Sequence, residues 1–163
     1  MNIQSAVTEG INILKNKSIL SAKLDSEILM AKALGKKREY IILNNDKIIK
    51  EQNLEYFKKL VQERATRKPI AYLLNKKSFW NSEFNVNKNT LIPRPDTEII
   101  LEQILKFTKN KNNLNILDIG VGSGCILLSI LKERKNFYGT GIDISKNSLD
   151  TCKINAKKLL LDR

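Results

Sequence analysis

The run Gly120-Val121-Gly122-Ser123-Gly124 limits the possible folds more tightly than any other stretch of this chain. It follows directly on the short apolar segment Ile116-Leu117-Asp118-Ile119, which reads as a buried strand, and leads into a helix from about Cys125 to Glu133. A strand that turns through alternate glycines into a helix is the opening of a doubly wound parallel sheet. A second strand, Tyr138 to Asp143, and a helix from Lys146 or Ser148 onward continue the pattern. Glycines suit such a loop because a side chain would block a ligand or forbid the backbone angles. Asp143 stands 23 residues after Gly120, at the end of the second strand. A carboxylate placed there accepts two hydrogen bonds from the ribose of a nucleoside. The expected binding residues are therefore Gly120, Val121, Gly122, Ser123, Gly124 and Asp143. The plainer alternative is a tight strand–helix turn, with Asp143 capping the next helix.

Upstream of the loop the texture is different. Ile3, Val7, Ile11 and Leu14 recur at helical spacing, which lines them on one face. A second helix spans about Leu24 to Leu34 with Gly35 as its stop, a short piece covers Glu39 to Leu43, and a longer helix ends near Arg67. These make a helical bundle with no chemical site, suited to partner docking. Pro69 suits a first helical position, and Phe79-Trp80-Asn81-Ser82-Glu83-Phe84 reads as a β-hairpin around an Asn-Ser turn. Ile92-Pro93-Arg94-Pro95 must be extended. A helix then runs from Glu98 to Lys109, started by Asp96 or Thr97, with Ile99, Ile100, Ile104 and Leu105 as its apolar stripe. The expected domains are 1–75 helical, 76–97 hairpin and linker, and 98–163 α/β.

Composition narrows the chemistry. The 163 residues contain no His, which excludes His-based triads, His acid–base pairs and His-ligated metal within this chain; no metal site is expected and no catalytic residue is assigned. Cys125 and Cys152 are the only thiols and lack zinc spacing, so a reduced, cytoplasmic setting is expected. The first residues lack the basic and apolar run of a secretion signal, and no apolar stretch is long enough for a bilayer. The net charge of +12 fits either a nucleic-acid-associated partner or lysines scattered over solvated faces, and no long basic run decides for the former.

The spacing of the loop separates two nucleoside cofactors. A dinucleotide fingerprint would need a small Gly or Ala at position 125, where Cys125 stands. Asp118-x-Gly120-x-Gly122-x-Gly124 instead resembles the loop of S-adenosylmethionine-dependent methyltransferases. The segments Glu63-Arg64-Ala65-Thr66-Arg67-Lys68-Pro69-Ile70-Ala71-Tyr72-Leu73, Phe79-Trp80 and Leu91-Ile92-Pro93-Arg94-Pro95-Asp96-Thr97-Glu98 resemble those of the release-factor glutamine methyltransferases.

That resemblance runs the length of the chain. It implies a Rossmann-like methyltransferase domain, S-adenosylmethionine as cofactor, peptide chain release factors as substrates, and a role in translation termination. The methyl acceptor would be the glutamine amide of their Gly-Gly-Gln tip. It also implies an N-terminal helical domain that docks the release factor, with no membrane and with nucleic acid met only through the ribosome-associated substrate. Gly120 to Gly124 would cradle the methionine part and Asp143 the ribose, with Arg94 to Glu98 beside the pocket. Asp118 and Glu98 are candidates for the cofactor's amino group. The family's Asn-Pro-Pro-Tyr motif, which holds the substrate amide, does not occur here, since Pro69, Pro93 and Pro95 are the only prolines. The expectation is a truncated, inactive N-terminal portion. Two alternatives remain: a methyltransferase acting on tRNA or rRNA, and a non-catalytic remnant that only binds a release factor.

Overall fold

The computed structural model describes residues 1–161; Asp162 and Arg163, the end of the expected 98–163 domain, lie outside them. The chain divides into two compact units, Met1–Leu74 and Asn75–Arg163, each with its own apolar core. No helix among the described residues is long and apolar enough to cross a membrane.

The first unit is helical: α1 (Ile3–Asn16), α2 (Ala22–Leu34), α3 (Arg38–Leu43), α4 (Glu51–Ala65) and α5 (Ile70–Leu74). Asn2 caps α1 by accepting from the Ser5 N–H, and the free N–H groups of Ile3 and Gln4 donate to Lys47 and Asn45 carbonyls. The orphan donors of the first turn are thus satisfied by the segment before α4. Gly35 stops α2 in the left-handed region at φ 62°. Leu14, Leu29, Met30, Phe57 and Val61 fill the core. Asp25 is buried inside this unit. It accepts from Arg64 Nε at 2.7 Å and Ser21 Oγ at 2.8 Å, so the charge that α2 buries is paired by α4. Pro69 sits just ahead of α5, and its carbonyl accepts from Tyr72 and Leu73.

The second unit opens with an antiparallel hairpin, β1 (Lys76–Phe79) and β2 (Ser82–Asn85), paired from Lys76↔Asn85 to Phe79↔Ser82. Its turn is Trp80-Asn81, one residue earlier than the expected Asn-Ser, with Trp80 at φ 51°. The reason is packing. Phe79 and Phe84 both enter the core and meet edge to face at 6.2 Å, and that register leaves Trp80 and Asn81 unpaired. The stretch expected as a linker is therefore part of this unit.

Next come α6 (Thr97–Phe107), β3 (Asn115–Ile119), α7 (Cys125–Glu133), β4 (Tyr138–Ile142) and α8 (Lys146–Lys158). The inward stripe of α6 differs from expectation. Leu101 is fully buried with Ile104 and Leu105 packed beside it, whereas Ile99 and Ile100 are exposed. The helical period through Leu101 turns those two outward. β3 and β4 pair in parallel from Asn115↔Tyr138 to Ile119↔Ile142. One face of this pair packs on α7: a Cβ added to Gly139 would meet Leu127 and Leu131 at 2.8 Å. The other face carries Leu117 (59 % exposed), Ile119 (76 %), Tyr138 and Ile142 toward solvent. The expectation of a buried strand at 116–119 is thus corrected, because a parallel strand is buried only where both faces are covered.

Candidate functional site

The glycine loop leaves the end of β3 and is tied at once to β4, since the Gly120 and Val121 N–H groups both donate to the Ile142 carbonyl, at 2.8 and 3.0 Å. Gly120, Gly122 and Gly124 have φ of 85°, 55° and 80°, in the region that favours glycine. Their surroundings differ. A Cβ on Gly120 would meet nothing within 4 Å, and one on Gly122 only the Gly120 carbonyl at 3.9 Å. Open space therefore lies over the first half of the loop, whereas Gly124 is packed against Cys152 and Leu128. Val121 and Ser123 are buried; Val121 fits against Gly141, so these two offer a ligand only their backbone.

Asp143 follows β4 and reaches back to the loop. Its Oδ2 accepts from the Gly122 N–H at 2.9 Å and its Oδ1 from the Ser145 N–H at 2.8 Å. These backbone donors, Ser145 first and then Gly122, hold its carboxyl below the usual aspartate range. The cap of α8 is Ser145, which accepts from Ser148. Each oxygen of Asp143 keeps a lone pair free for a further donor. Asp118, near the end of β3, is half-buried, and burial pushes its carboxyl up. The Leu127 backbone N–H pulls it down, and the charge of Asp143 pushes it up again. Among the described residues no salt bridge joins a cation to either carboxylate. Burial also raises the Cys125 and Cys152 thiols, which makes them poor nucleophiles.

Of the upstream candidates, Pro93 is buried, while Arg94, Pro95 and Asp96 are exposed. Glu98 is engaged elsewhere, its Oε1 accepting from the Trp80 N–H at 2.8 Å. Trp80 Nε1 donates to Glu133 at 2.7 Å, so the hairpin turn is anchored to α6 and α7. Sequence reasoning missed Asn155, fully buried on α8, whose amide donates to the Ser123 carbonyl of the loop at 2.8 Å. The signal was available: Ser148, Thr151 and Asn155 are small polar residues at helical spacing, and all three are buried.

Residues 5–74 match the family model described as the PrmC N-terminal domain, which is nearly the whole first unit. The chain is 39 % identical over 160 residues to a release factor glutamine methyltransferase of Leptospira interrogans, covering 98 % of this chain and 56 % of that protein. It is 42 % identical over 145 residues to one from Buchnera aphidicola subsp. Baizongia pistaciae, covering 89 % and 52 %. A bifunctional methyltransferase of Rickettsia bellii is 35 % identical over 183 residues, covering 96 % of this chain and 33 % of that protein. The chain spans about half the length of the curated release factor methyltransferases it matches. These matches bear out the family resemblance read from the motifs.

Proposed function

We propose, on the premise that the chain belongs with the release factor glutamine methyltransferases, that its second unit is the beginning of a Rossmann-like domain holding S-adenosylmethionine. The observation that carries this reading is the pair of carboxylates, Asp118 and Asp143, beside a glycine loop with open space over Gly120 and Gly122. The donor set fits the cofactor: Asp143 has lone pairs for two ribose hydroxyls, and the paired negative charge suits a ligand carrying an ammonium and a sulfonium. When bound, that cofactor supplies an electrophilic methyl group. This chain's residues bind and orient it, and catalysis in the whole protein comes from positioning rather than from acid–base residues.

The substrate class under this reading is the glutamine side-chain amide of a peptide chain release factor, met in the cytoplasm and docked by residues 1–75. The competing substrate, tRNA or rRNA, draws on the net charge of +12; the names of the relatives favour the release factor. The 163-residue polypeptide alone transfers no methyl group, because the Asn-Pro-Pro-Tyr segment that would aim the amide is not in this sequence. A release factor pull-down with the chain separates docking from a remnant that binds nothing.

Calorimetric titration of the chain with S-adenosylmethionine, with NAD as control, tests the cofactor reading. Saturable binding of the methyl donor that is lost in Asp143→Ala supports it. Binding of NAD alone, or of neither by a folded chain, overturns it. A labelled-methyl assay against release factor, tRNA and rRNA tests inactivity, and any transfer refutes that part.

A further inference from the structure

Asn155 lies on α8, thirty-two residues along the chain from the loop it touches, and has no exposed surface. Its amide makes three hydrogen bonds. Oδ1 accepts from the Asn85 N–H at 2.7 Å, and Nδ2 donates to the Asn85 carbonyl at 3.0 Å and to the Ser123 carbonyl at 2.8 Å. The orientation of the amide is dictated by its neighbours, since two carbonyls can only be met by the nitrogen.

The Ser123 carbonyl needs that partner. α7 begins at Cys125, and its first internal bond runs from the Leu128 N–H to the Gly124 carbonyl. Ser123 therefore precedes the helical ladder, yet it is buried. A buried carbonyl must find a donor. The loop is consequently gripped at two adjacent residues: the Gly122 N–H by Asp143, from the end of β4, and the Ser123 carbonyl by Asn155, from α8. Asn85 extends the same grip to β2.

We infer that Asn155 is a positioning residue, which fixes the glycine loop in the conformation that receives the methyl donor and couples it to the hairpin. This deepens the cofactor reading and rests on it. Asn155→Asp keeps the shape but removes both donations. Thr151→Val is the control: Thr151, one turn earlier and also buried, receives the Asn87 amide at 2.9 Å and donates to the Asn147 carbonyl, so its hydrogen bonds go elsewhere than the loop.

Two measurements on the full chain decide the matter separately. In amide hydrogen exchange, Asn155→Asp should speed exchange at Gly122 and Gly124 while Thr151→Val leaves them unchanged. Equal exchange at these glycines in the two variants overturns the positioning role, whatever the cofactor does. In calorimetry, Asn155→Asp should weaken S-adenosylmethionine binding by about tenfold or more while Thr151→Val stays within about twofold. Equal losses in both variants reduce Asn155 to a stability role. Failure of the unaltered chain to bind overturns the cofactor reading itself, while the exchange comparison still decides whether Asn155 holds the loop. Should Asn155→Asp not fold, Asn155→Ser is used with the same expectations, because its hydroxyl cannot span Asn85 and Ser123 together.

Discussion

Gly124→Ala is the sharpest test of why the loop has this sequence. The residue sits at φ 80°, and an added Cβ would lie 2.7 Å from Cys152 Sγ and 2.8 Å from Leu128 Cδ1. Holding a residue with a Cβ in left-handed backbone costs about 1–2 kcal/mol. Forcing a methyl into a packed site costs about 1–3 kcal/mol, here toward the low end because both obstacles are ends of side chains. The expected loss is about 2–4 kcal/mol, a large part of a typical domain's stability. Gly120→Ala is the matched comparison, with φ 85° and nothing within 4 Å, so it should lose only the backbone cost of about 1–2 kcal/mol. Urea unfolding followed by the fluorescence of Trp80, the single tryptophan, reports on the second unit. Each kcal/mol moves the midpoint by about 0.3–1 M. The steric share should also shrink in a Cys152→Ala background. A midpoint for Gly124→Ala equal to that of Gly120→Ala, or an unchanged increment without Cys152, would refute the packing argument.

The two site carboxylates should titrate on opposite sides of the ordinary aspartate value of about 3.9. Carbon NMR should find Asp143 below it and Asp118 above it, and the reverse order would sink the account of their surroundings. For Asp118, whose folded pKa is raised, the ionised form weakens the fold above that pKa, and the penalty is relieved as pH falls through it. Asp118→Asn should therefore raise the urea midpoint at pH 7, with the gain fading in acid; a gain independent of pH would contradict this. For Asp143, whose folded pKa is lowered, the stabilisation is present above about 3.9 and is lost as pH falls through the depressed value. Ile119→Thr, on the bare face of β3, should change stability by no more than about 0.5 kcal/mol while raising the solubility limit in light scattering. A loss above about 1 kcal/mol would mean that this face is covered in solution.

What the sequence revealed and what it hid divide along a physical line. Periodicity located α1 and α4 because each turns one stripe to the core, whereas α2, buried on most of its faces, was marked by Gly35, which ended it where the backbone needed a left-handed residue. The loop was legible because alternate glycines after an apolar strand leave few backbone options. α6 was misread because Ile99 and Ile100 form with Ile104 a stripe as regular as the one that is used; only the neighbours choose between them. Leu117 and Ile119 were misread for a related reason: an apolar run shows that a strand suits burial on both faces, and the covering layers are a tertiary matter. The hairpin was legible from its flanking aromatics, but its turn was placed one residue late, because the register is fixed by Phe79, Phe84 and the anchors on Trp80. Asn155 was passed over because a polar residue in a lysine-rich helix looks solvated until its partners, distant in sequence, are known.

The electrostatics of the site follow from the register of two strands. Asp118 pairs with Gly141, so the carboxylates of β3 and of the residue after β4 stand at the same end of the sheet, where the charge of Asp143 opposes ionisation of Asp118 and Asp143 braces the loop. A fold that keeps an ionised, half-buried Asp118 beside Asp143 gives up stability unless a positive charge joins them. Linkage makes this reciprocal: a cation that lowers the Asp118 pKa is itself bound more tightly when Asp118 is ionised. On the cofactor reading, binding is therefore accompanied by proton release and weakens as pH falls into the range where Asp118 titrates. A donor that has lost its methyl group is a thioether without the sulfonium charge and forfeits that share of the coupling. On that reading the ionised Asp118, which weakens the fold without ligand, favours the charged methyl donor over its net-neutral product.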